Sequence, residues 1–351
     1  MSWFHDELAS MQLSANSEIV KCIQTNRNEE YNGYAKVYYP DVSVTAFLPI
    51  LAVDKNNNII ENGNSYFTDI AFRQSNPAYI FQYDSMFKIF SSLHVVLHKI
   101  QQLPVQETID EPMFLLFNPF GGRNVGHDLS ILFHKIHIYK TKNLSMPVIV
   151  GESMLDFPFT LDICKILLPN TTFYVLKKNT VVEFNNLYVT HNAVFDINLH
   201  KYLHDEIINH CIEKCTDIDK YKNKKVCLIK NSFTQKNIVT TSTSFYSKEL
   251  IKVLETDYNY VIINPETINS SDLILYLHFA DKILVSYGAI MYGNAIFFNK
   301  SAVLYYIILH CNNYAPYYDE SRYKWVRVNN VNLDNEIELF IKNIDETNVQ
   351  S

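Results

Sequence analysis

The second half of the chain alternates short apolar runs with segments of helical spacing, and this alternation predicts a parallel sheet. Lys225–Lys230 (Lys-Val-Cys-Leu-Ile-Lys), Tyr260–Asn264, Lys282–Ser286 and Ala302–Ile308 read as buried strands. Between them, Ser244–Glu255 carries Phe245, Leu250, Ile251 and Leu254 at helical intervals. Ile268–Phe279 opens on the capping candidates Asn269, Ser270 and Ser271 with Asp272 in its first turn, and Ala289–Phe298 repeats the helical recurrence. Asn231–Ser242 reads as a polar loop. Strands and helices joined by short connections build a parallel sheet covered by helices on both faces.

The first half is less regular. Ile19–Thr25, Tyr34–Tyr39 and Tyr66–Phe72 have strand character around turns at Asn56-Asn57-Asn58 and Asn62-Gly63-Asn64, and Ser85–Gln102 is an amphipathic helix. A strand (Met113–Phe117), a glycine turn and a helix (Leu129–Ile138) follow, then Val148–Gly151 opens another unit. Asp162–Leu168 reads as a helix, and Thr172–Leu176 and Leu187–Thr190 as strands. This is the pattern of a second α/β domain with an antiparallel preface.

At 351 residues the chain exceeds the size, about 250–300 residues, at which one core keeps growing. Two domains are therefore expected, residues 1–200 and 201–330, with the junction near 192–222 bridged by a helix over Ile197–Cys215. Residues 331–351 form a C-terminal helix, spaced through Ile337, Phe340, Ile341 and Ile344, that packs back toward the first domain.

Only 8 residues are glycine, so their placement is informative. Gly121, Gly122 and Gly126 crowd the turn Asn118–Asp128, and Gly288 ends the run Ala280-Asp-Lys-Ile-Leu-Val-Ser-Tyr-Gly-Ala289, with Gly293 one turn on. Both are strand-to-helix junctions. There the first N–H groups of a helix lack intrahelical partners, the dipole adds positive charge and glycine admits an anion close to the backbone. In open α/β sheets such turns lie at the carboxyl ends of the strands, where ligands bind.

A net charge of −7 supplies no broad basic surface and argues against nucleic acid as a partner, while 48% hydrophobic residues suffice for two cores. Met1-Ser-Trp-Phe-His-Asp-Glu lacks the features of a secretory signal, and no segment reaches the ~20 apolar residues of a membrane span. The expectation is a soluble cytoplasmic protein; its richness in Asn, Ile, Lys and Tyr fits an AT-rich genome, such as that of a large DNA virus or a protist. The 6 scattered cysteines read as reduced, and His210, Cys211 and Cys215 lack the second ligand pair a metal site needs. Asp217-Ile218-Asp219 has the spacing of a metal-binding aspartate pair but lies in a charged linker after a helix.

In order, Val226-Cys-Leu-Ile-Lys230, Val261-Ile-Ile-Asn-Pro-Glu266, Ser271-Asp-Leu-Ile-Leu-Tyr, Ala280–Ala289 and Asn294-Ala-Ile-Phe297 resemble the catalytic domain of family 61 glycosyltransferases. That group includes xylan-modifying enzymes and protein O-linked N-acetylglucosamine transferases. Asn124-Val-Gly-His-Asp-Leu129 is similar to the family's Asn-aromatic-Gly/Ala-His motif, so the resemblance spans about residues 85–310. Lys230 stands where the family usually has arginine, Val125 where it has an aromatic residue, and Asp128 replaces the common aromatic after the histidine.

The resemblance implies an α/β, GT-B-like fold of two Rossmann-like domains facing across a cleft. It also implies inverting, metal-independent transfer of a sugar from a nucleotide sugar, usually UDP-linked, to a glycan or glycoprotein hydroxyl, with no cofactor beyond that co-substrate. The rival reading is a catalytically silent glycosyltransferase-like binding protein. A nicotinamide-linked oxidoreductase is disfavoured, because no strand is followed by Gly-x-Gly-x-x-Gly.

Inverting transfer needs a base for the acceptor hydroxyl and donors for the departing diphosphate. His127 is the candidate base, with Asp128 its orienter or replacement; the alternative is that His127 caps its helix or pairs with backbone. The backbone of Gly288, Ala289 and Ile290, the hydroxyls of Ser286 and Tyr287 and the charge of Lys230 are candidates for the diphosphate, against a plain tight turn at Gly288. Glu266 is placed for ribose hydroxyls or is a solvated loop carboxylate. Asn294 matches the family asparagine or caps a bend; Arg123 reaches a phosphate or sugar or is an exposed structural arginine, and Gly126 is a candidate donor or acceptor contact.

Overall fold

The computed structural model describes residues 30–39, 51–57, 59–61, 100–116, 125–156, 158–190, 200–229, 248–286, 294–299, 301–307 and 327–328. The expected elements at Ile19–Thr25, Tyr66–Phe72 and Asn335–Ile344, the loop Asn231–Ser242 and most of Ser85–Gln102 lie outside them. The fold is mixed α/β with two sheets. The chain divides into two compact units, residues 1–123, 130–156 and 168–195, and residues 124–129, 157–167 and 196–351.

The first unit holds a mixed sheet ordered β3 (Ile59–Glu61), β2 (Leu51–Val53), β1 (Tyr31–Tyr39), β8 (Thr180–Val189), β5 (Met113–Leu115), β6 (Val148–Gly151), β7 (Phe173–Leu176), with β4 (Glu107–Ile109) also beside β8. The antiparallel preface is β1 to β3, and β8, β5, β6 and β7 run parallel. Val148, Ile149 and Val150 are fully buried, which is why this run is apolar at every position. Helix α1 (Val125–Thr141) turns Leu129, Leu132, Phe133, Ile136 and Tyr139 inward at the three-and-four spacing of an apolar stripe. It ends on Asn143 at φ 52°, where Asn143 N–H bonds to Lys140 O and Leu144 N–H to Tyr139 O, both at 3.0 Å. These two bonds form a Schellman cap. Short helix α2 (Ser153–Asp156) follows β6.

The second unit is built on a five-stranded parallel sheet ordered β10 (Tyr260–Ile263), β9 (Lys224–Leu228), β11 (Ala280–Ser286), β12 (Val303–Ile307), β13 (Arg327–Val328). Val226, Cys227 and Leu228 of β9 and Ile283, Leu284 and Val285 of β11 have no exposed surface, as central strands of a covered parallel sheet require. Helices α3 (Pro158–Leu167), α4 (Lys201–Lys214), α5 (Lys248–Thr256) and α6 (Ser270–Phe279) belong to this unit. Pro158 opens α3, where its missing N–H costs nothing. Packing joins α3 to α4 and α6, and the Ser270 hydroxyl donates to Asp162 Oδ2 at 2.6 Å. Asn269 caps α6, accepting from Ser271 N–H at 2.8 Å and Asp272 N–H at 3.4 Å.

Several boundaries differ from the sequence expectation. Helix α1 starts at Val125 rather than Leu129, because Gly126, His127 and Asp128 in its first turn are not apolar and so add nothing to the hydrophobic periodicity. Strand β8 starts at Thr180 rather than Leu187. A bulge sets Asn185 and Asn186 against Tyr34 of β1 and exposes both asparagines, which interrupts the strand's apolar alternation. Around Ala289–Phe298, Asn294 is helical but Ala295–Phe297 is a 3₁₀ turn.

Candidate functional site

Numbered within the second unit, its strand order is 2-1-3-4-5, the doubly wound order whose switch point falls between the first and third strands. These are β9 and β11. Ile263 of β10 pairs with Leu228 of β9, and Leu228 pairs in turn with Val285 of β11, so the three strands finish side by side. Ile229 N–H extends the alignment, bonding to Ile263 O at 2.9 Å. Ser286, opposite Ile307 of β12, is the last residue of β11.

The three strands therefore end at one edge of the sheet, and in sequence Lys230 follows β9 by two residues, Glu266 follows β10 by three and Tyr287 to Ile290 come directly after β11. Lys230, Tyr287, Gly288, Ala289 and Ile290 themselves lie outside the described residues, as does Arg123. The turn carrying Glu266 is closed by Asn264, whose Oδ1 accepts from Glu266 N–H at 3.0 Å and whose carbonyl accepts from Thr267 N–H at 3.1 Å and Ile268 N–H at 3.2 Å. This Asx turn holds the Glu266 backbone and leaves its side chain exposed. The amino end of α6 lies just beyond, so the turn joins the β10 edge directly to a capped helix start.

Asn294 is 4% exposed and begins the turn leading into Ala295–Phe297. Phe297 is wholly buried, with its ring edge-on to Phe159 at 6.0 Å, which anchors the segment following the glycine turn against α3. Gly126, His127 and Asp128 are the second to fourth residues of α1. His127 is the third residue of α1.

Asp219 Oδ1 is held by Lys222 Nζ at 2.9 Å, and burial pushes the Cys211 thiol up, away from the thiolate a metal would need. Among the described residues no group of three or more His, Cys, Asp or Glu side chains is placed to hold a metal ion. Among the same residues no helix is long and apolar enough to cross a membrane.

Polar residues that the sequence reading passed over are also buried here. Lys135 has no exposed surface, and Ser153, Thr160 and Thr190 are at most 1% exposed. Lys135 was legible as a lysine four residues before Tyr139 on the apolar face of α1; the three hydroxyl residues carried no comparable signal. Comparison of the sequence with protein-family models gives no match, and comparison with curated proteins gives none.

Proposed function

We propose that the chain is an inverting glycosyltransferase of GT-B arrangement that takes a UDP-linked sugar at the carboxyl edge of its parallel sheet and transfers it to a glycan or glycoprotein hydroxyl. The observation that supports this reading is the common end point of β10, β9 and β11 at the carboxyl edge of a parallel sheet of doubly wound order. In this reading the glycine turn after Ser286 offers backbone N–H groups to the diphosphate, and Lys230 adds a point charge where the resembling family uses a planar arginine fork. Glu266, exposed on its Asx turn, accepts from ribose hydroxyls. His127 takes the acceptor proton, with Asp128 beside it in sequence, and the diphosphate leaves with its charge met by N–H donors.

The test is release of UDP from UDP-xylose, UDP-glucose and UDP-N-acetylglucosamine, with and without excess chelator. Enzymatic release that survives chelator is the expected result. Tight UDP binding with no release, with or without glycan acceptors, would leave a silent binding protein. Release abolished by chelator and restored only by manganese or magnesium would remove the metal-independent mechanism.

A further inference from the structure

From Pro265 to Ile268, the connection between β10 and α6, every backbone donor is committed. Pro265 has no N–H, the Glu266 N–H goes to Asn264 Oδ1 at 3.0 Å, and the Thr267 and Ile268 N–H groups go to Asn264 O at 3.1 and 3.2 Å. The Thr267 hydroxyl donates to the same carbonyl at 3.4 Å. Asn264 thus ties the connection to the end of β10, where Ile263 is buried beside its register partner Leu228 of β9.

The bond to the Glu266 N–H also orients the Asn264 side chain. Only the oxygen of a carboxamide accepts, so that end faces the turn, and Nδ2 with its two hydrogens lies on the opposite side of the amide. Among the described residues Nδ2 has no hydrogen-bond partner, and neither has the carboxylate of Glu266, which is exposed. An Asx turn needs only an oxygen, which aspartate or serine would supply as well, so the turn itself makes no use of the amide nitrogen. A charged acceptor and a two-hydrogen donor therefore stand two residues apart on one tied turn. A ribose presents the complementary pair, two adjacent hydroxyls that each donate and accept. The carboxylate takes the stronger, charge-assisted bond, and the amide adds a donor that the neighbouring hydroxyl oxygen answers.

We propose that Asn264 is a specificity-determining residue of the nucleotide site: its Nδ2 donates to one ribose hydroxyl while Glu266, held in place through Asn264 Oδ1, accepts from the other, so that the chain selects ribonucleotides. The assignment rests on the nucleotide reading of this sheet edge and adds to it a residue that the sequence pattern did not mark.

The test is calorimetric titration of the native chain with UDP and with its dideoxy analogue, which lacks both ribose hydroxyls and keeps the base and diphosphate. UDP is expected to bind about tenfold tighter or more. Asn264→Asp keeps an oxygen for the Glu266 N–H and removes the donor, so the ligand-free variant should melt at the native temperature while the preference for UDP falls about threefold or more. The added charge acts on both nucleotides alike, which is why the ratio is the quantity read. Glu266→Ala, at an exposed position, should lower the preference likewise. A merely structural Asn264 would shift the melting point of ligand-free Asn264→Asp and leave the ratio unchanged, and that result would overturn the proposal. Equal binding of UDP and the dideoxy analogue by the native chain, or an undiminished preference in either variant, would overturn it too and leave the nucleotide reading in place. Binding of neither nucleotide would overturn both.

Discussion

Leu228 and Val285, far apart in sequence, are register partners in the adjacent parallel strands β9 and β11, and both are fully buried. The pair fixes where the two strands stop. Everything argued for the second unit follows from that, because the residues after each strand must emerge beside one another at the switch point of the sheet.

Leu284, next to Val285, pairs with Cys227 on one side and Tyr305 on the other and has no exposed surface. Leu284→Ala should destabilise the protein by about 2–5 kcal/mol, measured by denaturant unfolding. A loss below ~1 kcal/mol would mean that this strand is not central to a packed sheet.

Asn269→Ala removes the acceptor for Ser271 and Asp272 N–H at the start of α6. The expected cost is about 1 kcal/mol, within the range of N-cap deletions, and Asn269→Asp should recover most of it. Equal stability of all three proteins would show that the cap contributes nothing.

Tyr34 has its phenol pushed up to about 12 by burial and, secondarily, by its hydrogen bond to Glu183. Burial in the first place, and then the bonds to Glu107 and Asp272, push Tyr174 and Tyr221 up as well. Each group holds its proton more tightly when folded than when unfolded. Its contribution is complete below the unfolded value of about 10 and is lost as pH rises toward the folded one. Stability should therefore fall between pH 10 and 12, and Tyr34→Phe should make the fall shallower. An unchanged slope in Tyr34→Phe would exclude this tyrosine as a source.

His127→Ala should lower the rate of UDP release in the presence of acceptor by about 10²–10⁴-fold and leave UDP affinity nearly unchanged, as loss of a general base does. Kinetics alongside calorimetric UDP titration decides it. An unchanged rate would move the role to Asp128 or to another residue.

Four of the five strands of the second unit were legible to within a residue or two because runs such as Val226-Cys227-Leu228 are buried on both faces, as a covered parallel sheet needs, whereas β13 was not foreseen. The α6 cap was legible because Asn269 offers a short acceptor in front of an apolar helix. Strand β8 was half hidden, since the bulge at Asn185 and Asn186 breaks the alternation on which strand recognition depends. The scarcity of glycine was read as concentrating flexible backbone at two turns. Among the described residues, the non-glycine residues with positive φ are Asn57, Asn143, Asn179, Asn223 and Asn259, so asparagine serves several turns where glycine would be usual. At the candidate site, sequence supplied the residues that follow each strand. It did not supply the strand order, which rests on pairing between distant segments.

The most direct measurement is thermal melting of the native chain with UDP, GDP and CDP, in parallel with Gly288→Val. The account predicts a saturable rise in Tm with UDP that survives excess chelator and is absent from a Gly288→Val protein that melts cooperatively on its own. No shift with any nucleoside diphosphate, or an equal shift in Gly288→Val, would contradict a nucleotide site at the end of β11.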